Sequence, residues 1–155
     1  MSKVSGAVRV VVPASSANLG SGFDSAGLAL SMFDEIEASF TDKPGVQVDV
    51  DGEGRNSLPR DENHLIARVM LKTFANLSMP VQGLYLRCIN RIPHGRGLGS
   101  SAAAISAAVV AARALAGTQG TRMDDQGALE LASSIEGHPD NVAACLYGGF
   151  TVSWI

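Results

Sequence analysis

Five stretches of the chain have the apolar pattern of β-strands. Residues 7–12 are a run of apolar and β-branched positions interrupted only by Arg9. Residues 27–40 and 46–51 contain polar and apolar positions in alternation, as half-exposed strands do, while residues 81–90 and 148–155 are richer in apolar side chains. The pattern therefore predicts five strands.

Four other stretches have the composition and spacing of helices. Residues 62–77 carry apolar side chains every three to five positions, and residues 100–116 are rich in alanine. We predict further helices over residues 124–135 and 141–146. Gly117 is a natural stop for the alanine-rich helix, because glycine readily adopts the backbone conformation that ends helices.

Turn-forming and small residues fill two of the connections. Residues 13–24 (Pro-Ala-Ser-Ser-Ala-Asn-Leu-Gly-Ser-Gly-Phe-Asp) and residues 52–60 are both predicted to be loops. No internal repeat or low-complexity linker separates the elements. Strands and helices thus occur together in one α+β unit.

Composition narrows the class of protein. The chain has 155 residues, of which 46% are hydrophobic and 17% charged, which suits one globular domain. The net charge of −3 argues against a general nucleic-acid-binding protein. Cys88 and Cys145 stand in apolar surroundings, so we expect buried free thiols in a reducing cytoplasm. The start has no signal-peptide pattern, and the apolar run 102–112 is too short to span a membrane.

The sequence Pro-His-Gly-Arg-Gly-Leu-Gly-Ser-Ser-Ala-Ala, from Pro93 to Ala103, joins a predicted strand to a predicted helix. Glycines let a backbone approach an anion closely, and the first N–H groups of a helix attract negative charge. Ser100 and Ser101 can cap the helix, bind phosphate oxygen or bind Mg²⁺. On composition alone, a glycine turn before a core helix remains an alternative. The lysine-containing phosphate loop and the dinucleotide-binding glycine pattern are both absent.

The same segment resembles the P-x-x-x-G-L-G-S-S-A-A signature of the GHMP kinases, which transfer phosphate from ATP to small molecules. The resemblance implies that this loop binds ATP, and we carry the role over to Pro93, Gly95, Arg96, Gly97, Leu98, Gly99, Ser100, Ser101 and Ala102.

The segment 13–24 resembles the first motif of the homoserine kinase branch of that family, with Ser21 where proline is usual. The resemblance implies that the substrate is L-homoserine, converted to O-phospho-L-homoserine on the way to threonine. Asn18 and Asp24 are then candidates to bind its ammonium and hydroxyl groups. A turn role for Asn18 and a capping role for Asp24 are the alternatives.

The segment from Glu130 to Gly149 resembles a third family motif. Counting eleven residues back from Asn141, as in the wider family, gives Glu130 as the magnesium-binding and catalytic carboxylate, together with Ser100 or Ser101 as metal ligands. Asn141 takes the position that faces the transferred phosphate and cannot act as a base. Asp140 stays open as an alternative catalytic group. His138 falls where the family has a substrate-binding histidine.

Glu136 has no support from the motif, so we interpret it as a solvated residue. His64 and His94 are interpreted as structural.

The resemblance also implies the fold of ribosomal protein S5 domain 2, here the GHMP kinase N-terminal domain over residues 1–155. The family's C-terminal domain, which binds the substrate carboxylate, is not in this chain, so we expect a truncated form with little activity by itself. A cytoplasmic location and a homodimeric full-length form are implied, without a nucleic acid or membrane partner. Another GHMP kinase and a noncatalytic nucleotide-binding module are the alternatives.

Overall fold

The structure is a computed structural model that describes residues 5–154. Its strands are β1 (Ser5–Leu19), β2 (Gly22–Phe40), β3 (Gly45–Gly52), β4 (Gly83–Asn90) and β5 (Phe150–Val152). Its helices are α1 (Leu65–Asn76), α2 (Ser100–Gly117), α3 (Asp125–Glu136) and α4 (Asp140–Tyr147).

The strands form one mixed sheet in the order β1-β2-β4-β3. The pairs β1/β2 and β2/β4 are antiparallel, whereas β3 and β4 are parallel and are connected through α1. Strand β2 is long enough to have two partners on its second edge. Its second half pairs with β4, and its residues Ala26–Leu28 pair with β5.

One face of the sheet is buried and the other carries charge. On β2, Ile36 and Ala38 are buried, whereas Glu35 and Glu37 between them face the opposite side. There Glu35 pairs with Arg9 and Arg91. Such alternation is expected of an antiparallel sheet covered on one face only. The core therefore lies between this buried, mostly apolar face and the helices.

Helix α2 crosses this face. Its alanines, such as Ala102, Ala107 and Ala111, are 0–1% exposed. Their small side chains let the helix lie close to β1 and β2, and α1, α3 and α4 pack around it. Helix α2 is long and apolar enough to meet the criterion for a membrane-crossing helix, but 61% of it is buried in the fold. A core helix meets the same criterion.

The predicted order of strands and helices is confirmed, with one error. Residues 13–24 are not a loop, because β1 continues to Leu19 and β2 begins at Gly22. Small residues hide this part of the strand from a hydrophobicity pattern. Ala14 and Ser15 are fully buried, and Ser15 pairs with Ala29 on β2. Ile155, the end of the last predicted strand, lies outside the described residues.

Candidate active site

The connection from β4 to α2 is shaped by three alternating glycines. Gly95, Gly97 and Gly99 have φ angles of 66°, 70° and 66°, in the left-handed region that side chains disfavour. Left-handed residues alternating with others turn successive N–H groups toward one concave side, which can hold an anion. The glycines are therefore needed for this backbone path.

The N-terminus of α2 is left free to bind an anion. Gly99 is the residue before the helix and provides no side-chain cap. The first hydrogen bond inside the helix joins the Ala103 N–H to the Gly99 carbonyl oxygen. The N–H groups of Ser100, Ser101 and Ala102 thus have no partner within the helix, and the helix dipole is positive there. The methyl of Ala102 is buried, so only its backbone can contribute.

Asp34 on β2 holds the start of this loop. Its Oδ1 accepts the N–H groups of Arg91 and Ile92 at 2.6 and 2.8 Å. Burial raises the pKa of the Asp34 carboxyl, and these two hydrogen bonds oppose the rise. The first turn of the loop is therefore fixed to the centre of the sheet.

Three elements meet at Gly99. A Cβ on Gly99 would lie 2.2 Å from Ser15 Oγ and 3.1 Å from Asn141 Oδ1. Ser15 Oγ donates to Asn141 Oδ1 at 2.9 Å, and the Ser15 N–H donates to the Leu98 carbonyl oxygen at 3.1 Å. Strand β1, the glycine loop and α4 are thus in direct contact, and Asn141 lies against the loop.

The acidic group bonded to a loop serine is Glu136, not Glu130. Ser101 Oγ donates to Glu136 Oε2 at 2.9 Å. Glu130 is exposed, and its Oε1 accepts from Gln126 Nε2 at 2.8 Å. Six residues of helix turn a side chain by about 600° and advance it by about 9 Å, so the two glutamates lie on different faces of α3. Glu130 remains the metal ligand that the family motif implies, and Glu136 is a second candidate because it is the carboxylate bonded to Ser101.

Residues 64–149 match the family model of the GHMP kinases N terminal domain. This match covers more than half of the chain and includes the glycine loop, α2, α3 and α4. The chain belongs to the GHMP kinase family.

The GHMP kinase relatives are similar over nearly the whole chain. It is 56% identical over 149 residues to the homoserine kinase of Streptomyces avermitilis, which covers 96% of this chain and 48% of that protein. It matches the crystal structure of homoserine kinase from Cytophaga hutchinsonii with 34% identity and a TM-score of 0.80, over 96% of this chain and 48% of that one. The chain spans about half the length of the curated relatives it matches.

The mevalonate kinase of Methanococcus jannaschii has the same fold, with a TM-score of 0.72 over 94% of this chain and 52% of that one. Its identity of 17% supports the GHMP kinase N-terminal fold and nothing more specific.

The tip of the β1–β2 hairpin of this GHMP kinase domain carries Asn18 and Asp24. Both are exposed and have positive φ angles, 59° and 56°. Asn18 Oδ1 accepts the Asp24 N–H at 3.1 Å, which leaves the Asp24 carboxylate free. The hairpin also approaches α4, because a Cβ on Gly27 would lie 2.2 Å from the Asp140 carbonyl oxygen. Strained backbone of this kind is common at binding sites.

His138 and Asp140 form a pair at the start of α4. His138 Nδ1 lies 3.2 Å from Asp140 Oδ1, which also accepts the Asn141 N–H at 2.7 Å. The Asp140 side chain is 0% exposed, whereas that of His138 is 50% exposed. Asp140 is therefore placed to orient His138, whose Nε2 remains available to a ligand.

An apolar cavity of about 200 Å³ opens beside Ser100 and Ser101. Leu58, Leu65 and Ile66 line it. His64, at its edge, is 2% exposed and caps α1 by accepting the Ile66 N–H at its Nδ1. Burial lowers the pKa of His64, with a smaller contribution from the positive charge of Arg60.

The sequence interpretation missed three residues of the site: Ser15, Asp34 and Glu136. Ser15 and Asp34 are distant from the loop along the chain and reach it only through the pairing of β1, β2 and β4. Glu136 could have been found, because it lies close in sequence to His138 and Asn141, directly before the C-cap Gly137 of α3. The roles of Ser15 and Asp34 depend on tertiary contacts that no spacing rule encodes.

Proposed function

We propose that this chain is the nucleotide-binding half of a kinase that transfers phosphate from ATP, with Mg²⁺, to the hydroxyl of L-homoserine. The observation that carries the proposal is the 56% identity to the homoserine kinase of Streptomyces avermitilis over 96% of the chain. The contacts of the glycine loop with Asn141 and Glu136 support it. They bring together backbone N–H groups and an amide that can bind phosphate oxygens, and a carboxylate that can bind Mg²⁺.

The glycine loop and the start of α2 would bind the phosphates of ATP. Gly95, Gly97 and Gly99 expose backbone N–H groups, and Ser100, Ser101 and Ala102 add those of the helix end. Arg96 is exposed on the same loop and can reach an anion. The apolar cavity of about 200 Å³ next to Ser100 is of a size that suits the base of the nucleotide.

Glu136 and Ser101 would hold Mg²⁺, with Ser100 as a second hydroxyl near the metal and Glu130, the carboxylate that the family motif implies, as the alternative ligand. A carboxylate and a hydroxyl are hard oxygen donors, which fit this ion. Among the described residues, no group of three His, Cys, Asp or Glu side chains could hold a metal ion. Two protein ligands fit Mg²⁺ nonetheless, since it commonly takes its other ligands from phosphate and water. The bound ion would neutralise phosphate charge.

The amino-acid substrate would bind between the hairpin tip and α4. The Asp24 carboxylate can pair with its ammonium group, and Asn18 and the exposed edge of His138 can bind its polar atoms. The substrate hydroxyl would then face the phosphate loop near Asn141.

Transfer needs little covalent help from the protein. The hydroxyl oxygen forms a bond to the γ-phosphorus, the bond from that phosphorus to the bridging oxygen breaks, and ADP leaves with the electron pair. Asn141 cannot accept the hydroxyl proton, which passes to a phosphate oxygen. Asp140 is fully buried, and its Oδ1 is bonded to the Asn141 N–H and to His138. Its buried Oδ2 has no hydrogen-bond partner among the described residues, so Asp140 stays the alternative catalytic group.

The test uses this chain joined to the C-terminal half of the Streptomyces avermitilis homoserine kinase, below called the joined enzyme. ADP release is measured with L-homoserine, L-serine and mevalonate. A strong preference for L-homoserine is expected, and turnover of mevalonate or of none of the three contradicts the proposed substrate. A homodimer in the cytoplasm is part of the same proposal, and sedimentation of the joined enzyme tests the dimer.

A further inference from the structure

Ser15 is a buried polar residue that links all parts of the candidate active site. It is 0% exposed in the middle of β1. Its N–H donates to the Leu98 carbonyl oxygen in the glycine loop, and its Oγ donates to Asn141 Oδ1 in α4. The Cys145 thiol, also in α4, lies 3.5 Å from Ser15 Oγ. The backbone of Ser15 thus holds the glycine loop while its buried hydroxyl meets α4, so the hydroxyl is suited to orienting a side chain of that helix.

The partner that needs orienting is the amide of Asn141. An asparagine side chain has a carbonyl oxygen that accepts and an amino group that donates, and exchanging the two reverses what it offers a ligand. Oδ1 is taken by Ser15 at 2.9 Å. Asn141 is half-buried, and the atom that lies 3.1 Å from a Cβ built on Gly99 is the same Oδ1. Among the described residues, Nδ2 has no hydrogen-bond partner, so the amino group is the end that remains available to a ligand.

The Cys145 thiol behind Ser15 is compatible with this direction of the Ser15–Asn141 hydrogen bond. Burial raises the pKa of Cys145 to about 11, so the thiol keeps its proton at neutral pH. It lies within 3.5 Å of both Ser15 Oγ and the Pro13 carbonyl oxygen. When the thiol donates to Ser15 Oγ, the serine proton is directed to Asn141 Oδ1.

We propose that Ser15 is a positioning residue that fixes the polarity of the Asn141 amide, so that its NH₂ group, and not its carbonyl oxygen, is the end offered to a bound phosphate. A donor at this place stabilises the oxygens of a transferring phosphate group, whereas a carbonyl oxygen would repel them. The inference rests on the proposed function for the identity of the reaction but not for the orientation of the amide.

The kinetic test is a double-mutant cycle in the joined enzyme. Ser15→Ala is expected to lower kcat about three- to tenfold, the range of one lost hydrogen bond, with KM for ATP changed less than about twofold. Ser16→Ala is the matched control, because it removes the same hydroxyl one residue further along β1, and it should leave kcat unchanged. In an Asn141→Ala background, Ser15→Ala should have almost no further effect.

Equal losses in both backgrounds would mean that Ser15 supports the fold and not the amide, and would overturn the proposal. A second variant, Asn141→Asp, tests the effect of a negative charge at this position on kcat. Asn141→Asp keeps an acceptor for Ser15 but turns an oxygen toward the loop, so kcat should fall about 100-fold or more. A rate equal to or above that of the unmodified joined enzyme would contradict the proposed polarity.

Nuclear magnetic resonance tests the orientation without any catalytic step. In the 155-residue chain, the NH₂ proton signals of Asn141 should shift on addition of a magnesium complex of a nonhydrolysable ATP analogue, and Ser15→Ala should reduce that shift because the amide is then free to turn. If Nδ2 donates to Ser15 instead, the nucleotide complex shifts those signals no more in the unmodified chain than in Ser15→Ala, and the proposal is wrong. This result is independent of whether the joined enzyme accepts L-homoserine, so the two failures can be told apart.

Discussion

Glu136 brings a negative charge to a helix end that otherwise attracts anions. Its carboxylate bonds to Ser101, whose backbone N–H belongs to the proposed phosphate site. A carboxylate and a phosphate repel each other unless a cation lies between them. We therefore predict that Glu136→Gln lowers the magnesium-dependent kcat of the joined enzyme by about 100-fold, the scale of a lost metal contribution.

Glu130→Gln is the direct comparison, because it makes the same change on another face of α3. Its carboxylate bonds to Gln126 and lines an open surface next to Leu131 and Ser134. Its kcat should stay within about twofold of the unmodified joined enzyme, the usual range for a surface change. A large loss for Glu130→Gln with none for Glu136→Gln would support the assignment made from motif spacing.

His64 predicts a pH dependence of stability. Burial lowers its pKa in the folded chain below the ordinary value of 6.5. The stability linked to this group is therefore fully present above pH 6.5 and is lost as the pH falls through the folded-state pKa. His64→Asn keeps a side chain that can cap α1 but removes the titration.

Urea unfolding between pH 8 and pH 5 measures the effect. The free energy of unfolding of the unmodified chain should fall, relative to that of His64→Asn, as the solution becomes more acidic. A difference that does not change with pH would mean that His64 is protonated as easily in the fold as in the unfolded chain.

At the scale of elements, we expect the glycine loop to tolerate a side chain less well at Gly99 than at Gly95. Gly95 and Gly99 have the same φ of 66°. Nothing lies within 4 Å of a Cβ built on Gly95, whereas a Cβ on Gly99 would meet the Ser15 side chain at 2.2 Å and its carbonyl oxygen at 2.9 Å. Both alanine substitutions should lose about 1–2 kcal/mol of stability from the left-handed backbone.

Gly99→Ala should lose about 1–3 kcal/mol beyond that, the usual cost of overpacking, because β1 must move. Urea unfolding of the two variants, which form a matched pair, gives the difference directly. Equal free energies of unfolding would show that β1 yields to the added methyl and that Gly99 is not in tight contact with Ser15.

The β1–β2 hairpin shows where the pattern of apolar and polar residues fails to predict a strand. Alternation of apolar and polar residues is visible where strands bury large side chains, and the predicted range 46–51 lies within the observed Gly45–Gly52. It fails along 13–19, where β1 is made of small residues. There Ala14, Ser15 and Gly27 allow α4 to approach the sheet closely, so the strand is selected by available space and not by hydrophobicity.

At the scale of the whole molecule, the pattern of apolar and polar residues predicts the elements, and the resemblance to the GHMP kinases implies the fold. The pattern alone does not give the arrangement of the strands. The placement of β4 between β2 and β3, and the pairing of β5 with the first half of β2, depend on contacts between distant residues. The same holds for the site. The phosphate loop is local in sequence and was recognisable, whereas its contacts with Ser15 and Asp34 exist only after the sheet has formed.

The reactivity of the two cysteines during unfolding can show whether the sheet and its helices unfold as one unit. Cys88 is fully buried on β4, and Cys145 is 7% exposed on α4. Burial raises the pKa of Cys88 to about 12 and that of Cys145 to about 11. Thiolates are the reactive form, so at pH 8 only about one thiol in a thousand or fewer is reactive even if a reagent reaches it.

We predict that a disulfide reagent such as dithionitrobenzoate labels the native chain at less than about a hundredth of its rate with the chain unfolded in guanidinium chloride. Since both thiols belong to one core, they should become reactive together as denaturant is added, at the midpoint measured by circular dichroism. Early labelling of one thiol would mean that part of the fold opens separately. If that thiol is Cys145, α4 leaves the sheet, and the orientation of Asn141 is lost before the rest of the domain unfolds.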